Sequence, residues 1–270
     1  MRLGEGLKLA VGTLSVFPVR VERVDREVAG HAMALAPAVG LALGLVAGLP
    51  LLLPGPPLLG AALAVGLLAV LTRGLHLDGL ADLADGLGSG KPAAEALDIM
   101  KKSDIGPFGV MTLVLTLLIQ VVAAAEAGFA AFVTACVAGR LALTWACRAG
   151  VPAARSDGLG AMVAGTVRRP AAWLVTLATL LATTLAALLA TMMIGLLTTP
   201  GTIGVDTGVI APGTAVAAPV SLLAGLGAAL LLLGHATRRL GGITGDVLGA
   251  LAETAVAATL VVSALLRYVS

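Results

Sequence analysis

Asp78, Asp82 and Asp85 are spaced i, i+4, i+7, so on a helix they project from one face and can converge on a single cation. They open the stretch 76–110, HLDGLADLADGLGSGKPAAEALDIMKKSDIGPFGV, which holds six of the chain's fifteen acidic residues. Carboxylates are hard oxygen ligands suited to Mg²⁺, an ion that keeps several waters and shares a few carboxylates with substrate phosphates. The stripe therefore predicts phosphoryl chemistry. On a soluble helix such a stripe is ordinarily a solvated face. Here its neighbours Leu77, Leu80, Ala81, Leu83 and Ala84 are apolar, and Gly79 and Gly86 permit close approach of a ligand or another backbone.

A second constellation is GGITGDVLGALAE at 241–253, in which Asp246 and Glu253 are seven apart and share a helical face. Glu253 falls about 10 Å along that helix, a depth at which an ionisable group faces a bundle interior or a polar cavity. Arg140 falls at similar depth on another apolar segment, and an ion pair between the two is as well supported as a catalytic duty for either. Gly241, Gly242 and Gly245 resemble a backbone cradle for phosphate, with Thr244 as helix N-cap. Lys101, Lys102, Arg155, Arg168, Arg169, Arg238 and Arg239 are the basic residues available to hold phosphates; each also satisfies the positive-inside rule.

The elements that must position these groups are membrane helices. The chain has 270 residues, 59% hydrophobic and 12% charged, with mean hydropathy +1.04. No soluble core hides so much apolar sequence, whereas each spanning helix consumes about 20 apolar residues. The expected fold class is all-α, a polytopic integral membrane helix bundle. Uncharged runs predict seven spans, near 32–53, 57–73, 106–125, 127–147, 171–197, 215–234 and 247–266, within a single domain 1–270 whose 74–105 region carries the aspartate stripe. With the N-terminus inside, fifteen of the seventeen Lys and Arg residues fall in inside segments, Arg267 falls outside and Arg140 within a span. The apolar run 9–19 is too short to cross and is followed by Arg20, Arg23 and Arg26 without a cleavage site, so it reads as an interfacial segment and not a signal peptide. Cys136 and Cys147 lie about 16 Å apart along one helix and cannot bridge. His31, His76 and His235 are scattered, and nothing reads as a zinc set. The outer loop 198–218, whose acid is Asp206, reads as a connector.

At these residues the chain resembles the cobalamin synthase family, the adenosylcobinamide-GDP ribazoletransferases. The resemblance rests on HLDGLADLADG at 76–86, LDIMKKSDIGPFGV at 97–110, ARSDGLG at 154–160 and LGGITGDVLGALAE at 240–253, with weaker agreement in FPV at 17–19 and PAVGLALG at 37–44. Order and separation of the blocks fit across nearly the whole chain. One departure stands out: after the IMK block the family usually places an acid and, two residues later, a base, whereas here Lys102 and Asp104 stand in reverse order.

The resemblance implies a Mg²⁺-dependent enzyme of the bacterial cytoplasmic (inner) membrane, with N-terminus and site cytoplasmic. It implies transfer of the cobinamide phosphate from adenosylcobinamide-GDP to the ribose of α-ribazole or its 5′-phosphate, releasing GMP, in the last steps of cobalamin biosynthesis. Asp78, Asp82, Asp85 and Asp246 are then the expected metal ligands and catalytic acids, any of them also a candidate for the base that takes the ribose proton, with His76 the runner-up. His76, Lys101, Arg140, Arg155, Thr244 and Glu253 are the expected substrate-binding set. The partners are the two substrates and the lipid bilayer, with no nucleic acid; monomer and homo-oligomer both stay open.

Two rival readings are weaker. A CDP-alcohol phosphotransferase-like lipid synthase also clusters aspartates at span ends, but its Asp-Gly is followed by Ala-Arg, whereas Gly79 is followed by Leu80-Ala81-Asp82. A transporter places its site near the midplane between internal repeats, and here the ionisable groups gather at one face with no repeat between halves.

Overall fold

A computed structural model describes residues 2–22, 24–197 and 214–269. Arg23, Asp206 and most of the expected 198–218 connector lie outside the described residues. The chain opens with α1 (Arg2–Leu14), which lies against α2 (Arg26–Ala47). The contact is close: a Cβ at Gly6 would come within 2.6 Å of His31 Cβ, and Ala10 and Leu14 are buried. The apolar N-terminal run is thus a helix that begins and ends earlier than 9–19 and packs on the bundle. Asp25 caps α2, its carboxylate accepting from the amides of Glu27 and Val28 at 3.0 and 2.9 Å, so the helix starts six residues before the uncharged run.

After a 3₁₀ turn at Leu49–Leu52 come α3 (Pro57–Leu71) and α4 (Leu75–Gly88), then α5 (Ala93–Ile99). Arg73 and Gly74, both at positive φ, turn the chain by 89° between α3 and α4. That bend carries the aspartate stripe sideways, across one end of the bundle and onto the last helix.

The 40-residue α6 (Pro107–Ala146) is twice the length a bilayer requires. Gly128, at φ 77° and ψ −173°, breaks it. Its two halves meet the same turn of α10 (Gly245–Val269): Gln120 Nε2 donates to Glu253 Oε2 at 2.7 Å, and a Cβ at Gly139 would lie 3.0 Å from the carbonyl of Ala252. In a straight helix those two residues would be about 28 Å apart. The halves are therefore antiparallel passes joined at Gly128, matching the separate spans expected at 106–125 and 127–147.

The short α7 (Gly158–Val163), then α8 (Arg169–Leu197) and α9 (Thr214–Leu240) complete the bundle before α10. Among the described residues five helices are long and apolar enough to cross a membrane, α6 with length for two passes and α3 with α4 forming a further bent segment. The described residues contain no strand, only isolated bridges pairing Arg148 with Val167 and Ala153 with Ile243. On α8, Leu174, Leu177, Leu181, Leu185 and Leu188 are exposed at helical spacing, a stripe suited to lipid and costly in water. Cys136 and Cys147 are both buried and free.

Candidate active site

α4 and α10 cross at glycines. A Cβ at Gly79 would lie 2.8 Å from both Cα and O of Asp246, and one at Gly249 would lie 2.9 Å from the carbonyl of His76. Only hydrogen at these positions lets the two backbones touch, and the touch sets Asp78 and Asp246 into the wall of one cavity. Thr244 caps α10 by accepting from the Val247 amide at 3.2 Å, and its hydroxyl donates to Asp246 Oδ2 at 3.2 Å, which orients that carboxylate.

The third wall comes from the segment after α6. The amide of Ile243 donates to Pro152 O at 2.9 Å, and that of Ala154 donates to Ile243 O at 3.0 Å. A Cβ at Gly242 would meet the 152–154 backbone at 2.5 Å. This pairing delivers Arg155 to the site. Arg155 Nη1 lies 3.8 Å from Asp246 Oδ2, and its Nη2 donates to the carbonyl of Leu97 at 2.5 Å, linking α5 to the acids. The expected glycine cradle divides accordingly. Gly242 is spent on backbone packing, while Gly245 lines the cavity.

The cavity has a volume of about 290 Å³. Its polar lining is Asp78, His76, Arg155, Asp157, Thr244 and Asp246. Asp82 stands half-buried beside it, with the like charges of Asp78, Asp246 and Asp85 around it and Arg155 as the cation that offsets them. Asp78, Asp157 and Asp246 in the lining, with Asp82 beside them, stand against one arginine and make the rim electronegative.

The structure departs from the expected stripe at Asp85. That residue is 7% exposed, and its carboxylate accepts from the amides of Gly106 at 2.7 Å and Gly109 at 2.9 Å, the free amides at the start of α6. Its helical phase is right, but the following loop folds back over it and spends its oxygens on capping. In this arrangement no three His, Cys, Asp or Glu side chains of the described residues meet closely enough to hold a metal ion.

Three further expected residues lie off the cavity. Lys101 is exposed in the loop after α5. Arg140 is wholly buried one layer beneath, its Nη2 3.5 Å from His76 Nδ1, with Nε and Nη1 unpartnered. Glu253 is buried and engaged by Gln120. Arg140 and Glu253 support the site from behind, whereas Lys101 stands apart from it. Sequence reasoning missed Asp157 and Gly160 as lining residues, together with the apolar walls Met33 and Leu143. The ARSDGLG block at 154–160 was the available signal, since it pairs a charge with glycines in a short loop. No local pattern marks Met33 or Leu143 among so many apolar residues.

The family model described as Cobalamin-5-phosphate synthase matches residues 6–264. A relative from Frankia casuarinae, named adenosylcobinamide-GDP ribazoletransferase, is 44% identical, covering 96% of this chain and 94% of its own. Proteins of the same name from a Nocardioides species and from Pseudomonas savastanoi pv. phaseolicola are 38% and 35% identical, covering 94% and 96% of this chain and 95% and 98% of theirs. No solved structure matches. With nearly its whole length matched, including all three walls of the acid-rimmed cavity, the chain belongs to the cobalamin-5-phosphate synthase family.

Proposed function

We infer that this chain joins adenosylcobinamide-GDP to α-ribazole or its 5′-phosphate, forming adenosylcobalamin or its 5′-phosphate and GMP, in the bacterial cytoplasmic membrane with the acid-rimmed cavity facing the cytoplasm. The observation that carries the reading is the meeting of Asp78, Asp246, Thr244 and Arg155 around one cavity in a chain whose relatives bear that enzyme's name. The fifteen Lys and Arg residues in inside segments support the orientation.

In the reaction a ribose hydroxyl oxygen bonds to the phosphorus that carries cobinamide. The P–O bond to the guanylate breaks, GMP leaves with that bond's electron pair, and the hydroxyl proton passes to a carboxylate. Asp78, Asp82 and Asp246 offer the hard carboxylate oxygens that Mg²⁺ takes, beside a pocket. As they stand no three of them close on one ion, so an ion there would draw on one or two of them together with waters and the substrate diphosphate. When bound there, the ion would supply charge neutralisation for the diphosphate. Arg155 binds a phosphate oxygen, held for it by Leu97 O and Asp246. Thr244 holds Asp246 in place, and the start of α10 presents its positive end to the transferring group. Arg140 and Glu253 do not touch substrate in this reading; they brace His76 and the two halves of α6.

Membranes containing the protein should release GMP from adenosylcobinamide-GDP only when α-ribazole or its 5′-phosphate and Mg²⁺ are both supplied. Absence of cobamide product with either acceptor would remove the reading.

A further inference from the structure

The cavity is graded from its mouth inward. At the mouth, Asp78 and Asp157 are exposed and Leu75 is 40% exposed. At its inner end Met33, Leu143 and Leu248 are buried, with exposures of 2, 1 and 4%. Charge therefore lies outside and apolar surface inside, with His76 and the already spent Thr244 hydroxyl as the polar side chains of the inner end. A ligand that fits has an apolar body entering first and a polar, reacting end left among the acids.

The whole donor does not fit, since its corrin ring and guanosine diphosphate are far larger than about 290 Å³, while a single nucleoside matches the lower end of small-ligand pockets. Of the two nucleosides in the reaction, the guanosine carries a base edged with polar groups and suits the apolar inner end less well than the acceptor's.

His76 gives the inner end a direction. Arginine has no acceptor, so a guanidinium 3.5 Å from Nδ1 favours the tautomer in which Nδ1 accepts and Nε2 carries the ring proton. Nε2 has no partner among the described residues and, unlike Arg140 Nε and Nη1, is not sealed from the cavity. In that tautomer His76 presents an N–H donor to the inner end. A nitrogen that carries the proton cannot also collect one, which argues against His76 as the general base.

Resting on the reaction proposed above, we propose that the cavity is the acceptor subsite: it takes a nucleoside whose base is a flat, apolar bicyclic aromatic, and His76 Nε2–H selects that base by donating to its unsubstituted ring nitrogen. Ribazole, whose base is a benzimidazole, has this chemistry. His76 is on this account a specificity-determining residue, and Arg140 is the positioning residue that sets its tautomer.

The test compares two acceptors with adenosylcobinamide-GDP as common donor: α-ribazole, and its indole analogue in which the acceptor nitrogen is CH. Wild-type enzyme in membranes should favour the benzimidazole by about 10- to 100-fold in kcat/KM, the discrimination expected when a buried donor loses its partner. His76→Ala should lose most of that preference and raise KM for the acceptor while KM for the donor stays unchanged. His76→Asn, which restores an N–H donor, should recover part of it. Equal use of both acceptors by the wild-type enzyme overturns the proposal with the reaction intact, and needs no variant to fold. A rise in donor KM alone in His76→Ala assigns the cavity to the other substrate and also overturns it. No product from either acceptor defeats the reaction itself, and this inference with it.

Discussion

The carboxylate of Asp85 lies 2.7 Å from the amide of Gly106, so the third acid of the stripe holds the start of α6, while Asp78 lines the cavity and Asp82 stands near Asp78 and Asp246. A spacing that places three equivalent acids on one face has been divided by its surroundings into one acid spent on a helix cap and two left without that duty.

Asp85→Ala should therefore act first on stability. Losing a cap that satisfies two helix-start amides costs about 1–2 kcal/mol. Thermal unfolding in detergent should show a lower midpoint for this variant, with activity per folded molecule far less affected than in variants of Asp82. An unchanged midpoint would mean the cap is dispensable.

Asp82→Asn should do the reverse. It removes one of several crowded like charges, so the midpoint should hold or rise, while activity falls on the order of 10²–10³-fold, as for loss of a group that stabilises transition-state charge. Retained activity in this variant would take Asp82 out of the site.

Gly79→Ala tests the helix crossing. Its methyl would meet Asp246 backbone at 2.8 Å and must push α4 away from α10, separating Asp78 and Asp82 from Asp246. Overpacking of this kind costs about 1–3 kcal/mol. The more telling readout is turnover, which should fall sharply even where the protein is still folded at the assay temperature. Normal turnover in a folded Gly79→Ala protein would show that the close approach is not needed for chemistry.

Mg²⁺ should stabilise the folded protein without substrate. At a hundredfold excess over its dissociation constant the gain is about 2.7 kcal/mol. The shift should vanish in Asp78→Asn combined with Asp246→Asn. A wild-type midpoint indifferent to Mg²⁺, together with full turnover in a chelator, would exclude these acids as an ion site.

Much of the fold was legible because helix formation and membrane burial are local. Apolar runs of sufficient length marked the spans, and Gly128 separates the two passes of α6 where the uncharged runs placed a boundary. The placement of Arg140 and Glu253 inside the bundle also followed from counting residues along a helix. Whether they met a cavity did not, because that depends on which neighbour occupies the facing surface. Gln120 reaches Glu253 only because α6 turns back, and His76 stands between Arg140 and the pocket only because α4 bends by 89° from α3.

By itself the sequence determined a helical membrane bundle, an acid stripe of the right phase on α4 and a second acid at the start of α10. Helical periodicity dictates which residues share a face. Only the tertiary structure decided that Asp78, Asp246, Arg155 and Asp157 share a cavity, that Asp85 caps α6 and that Lys101 stands apart. Those outcomes are set by contacts between distant segments: the glycine crossing of α4 and α10, and the backbone pairing of 152–154 with Ile243. Periodicity within one helix cannot specify where another helix will cross it.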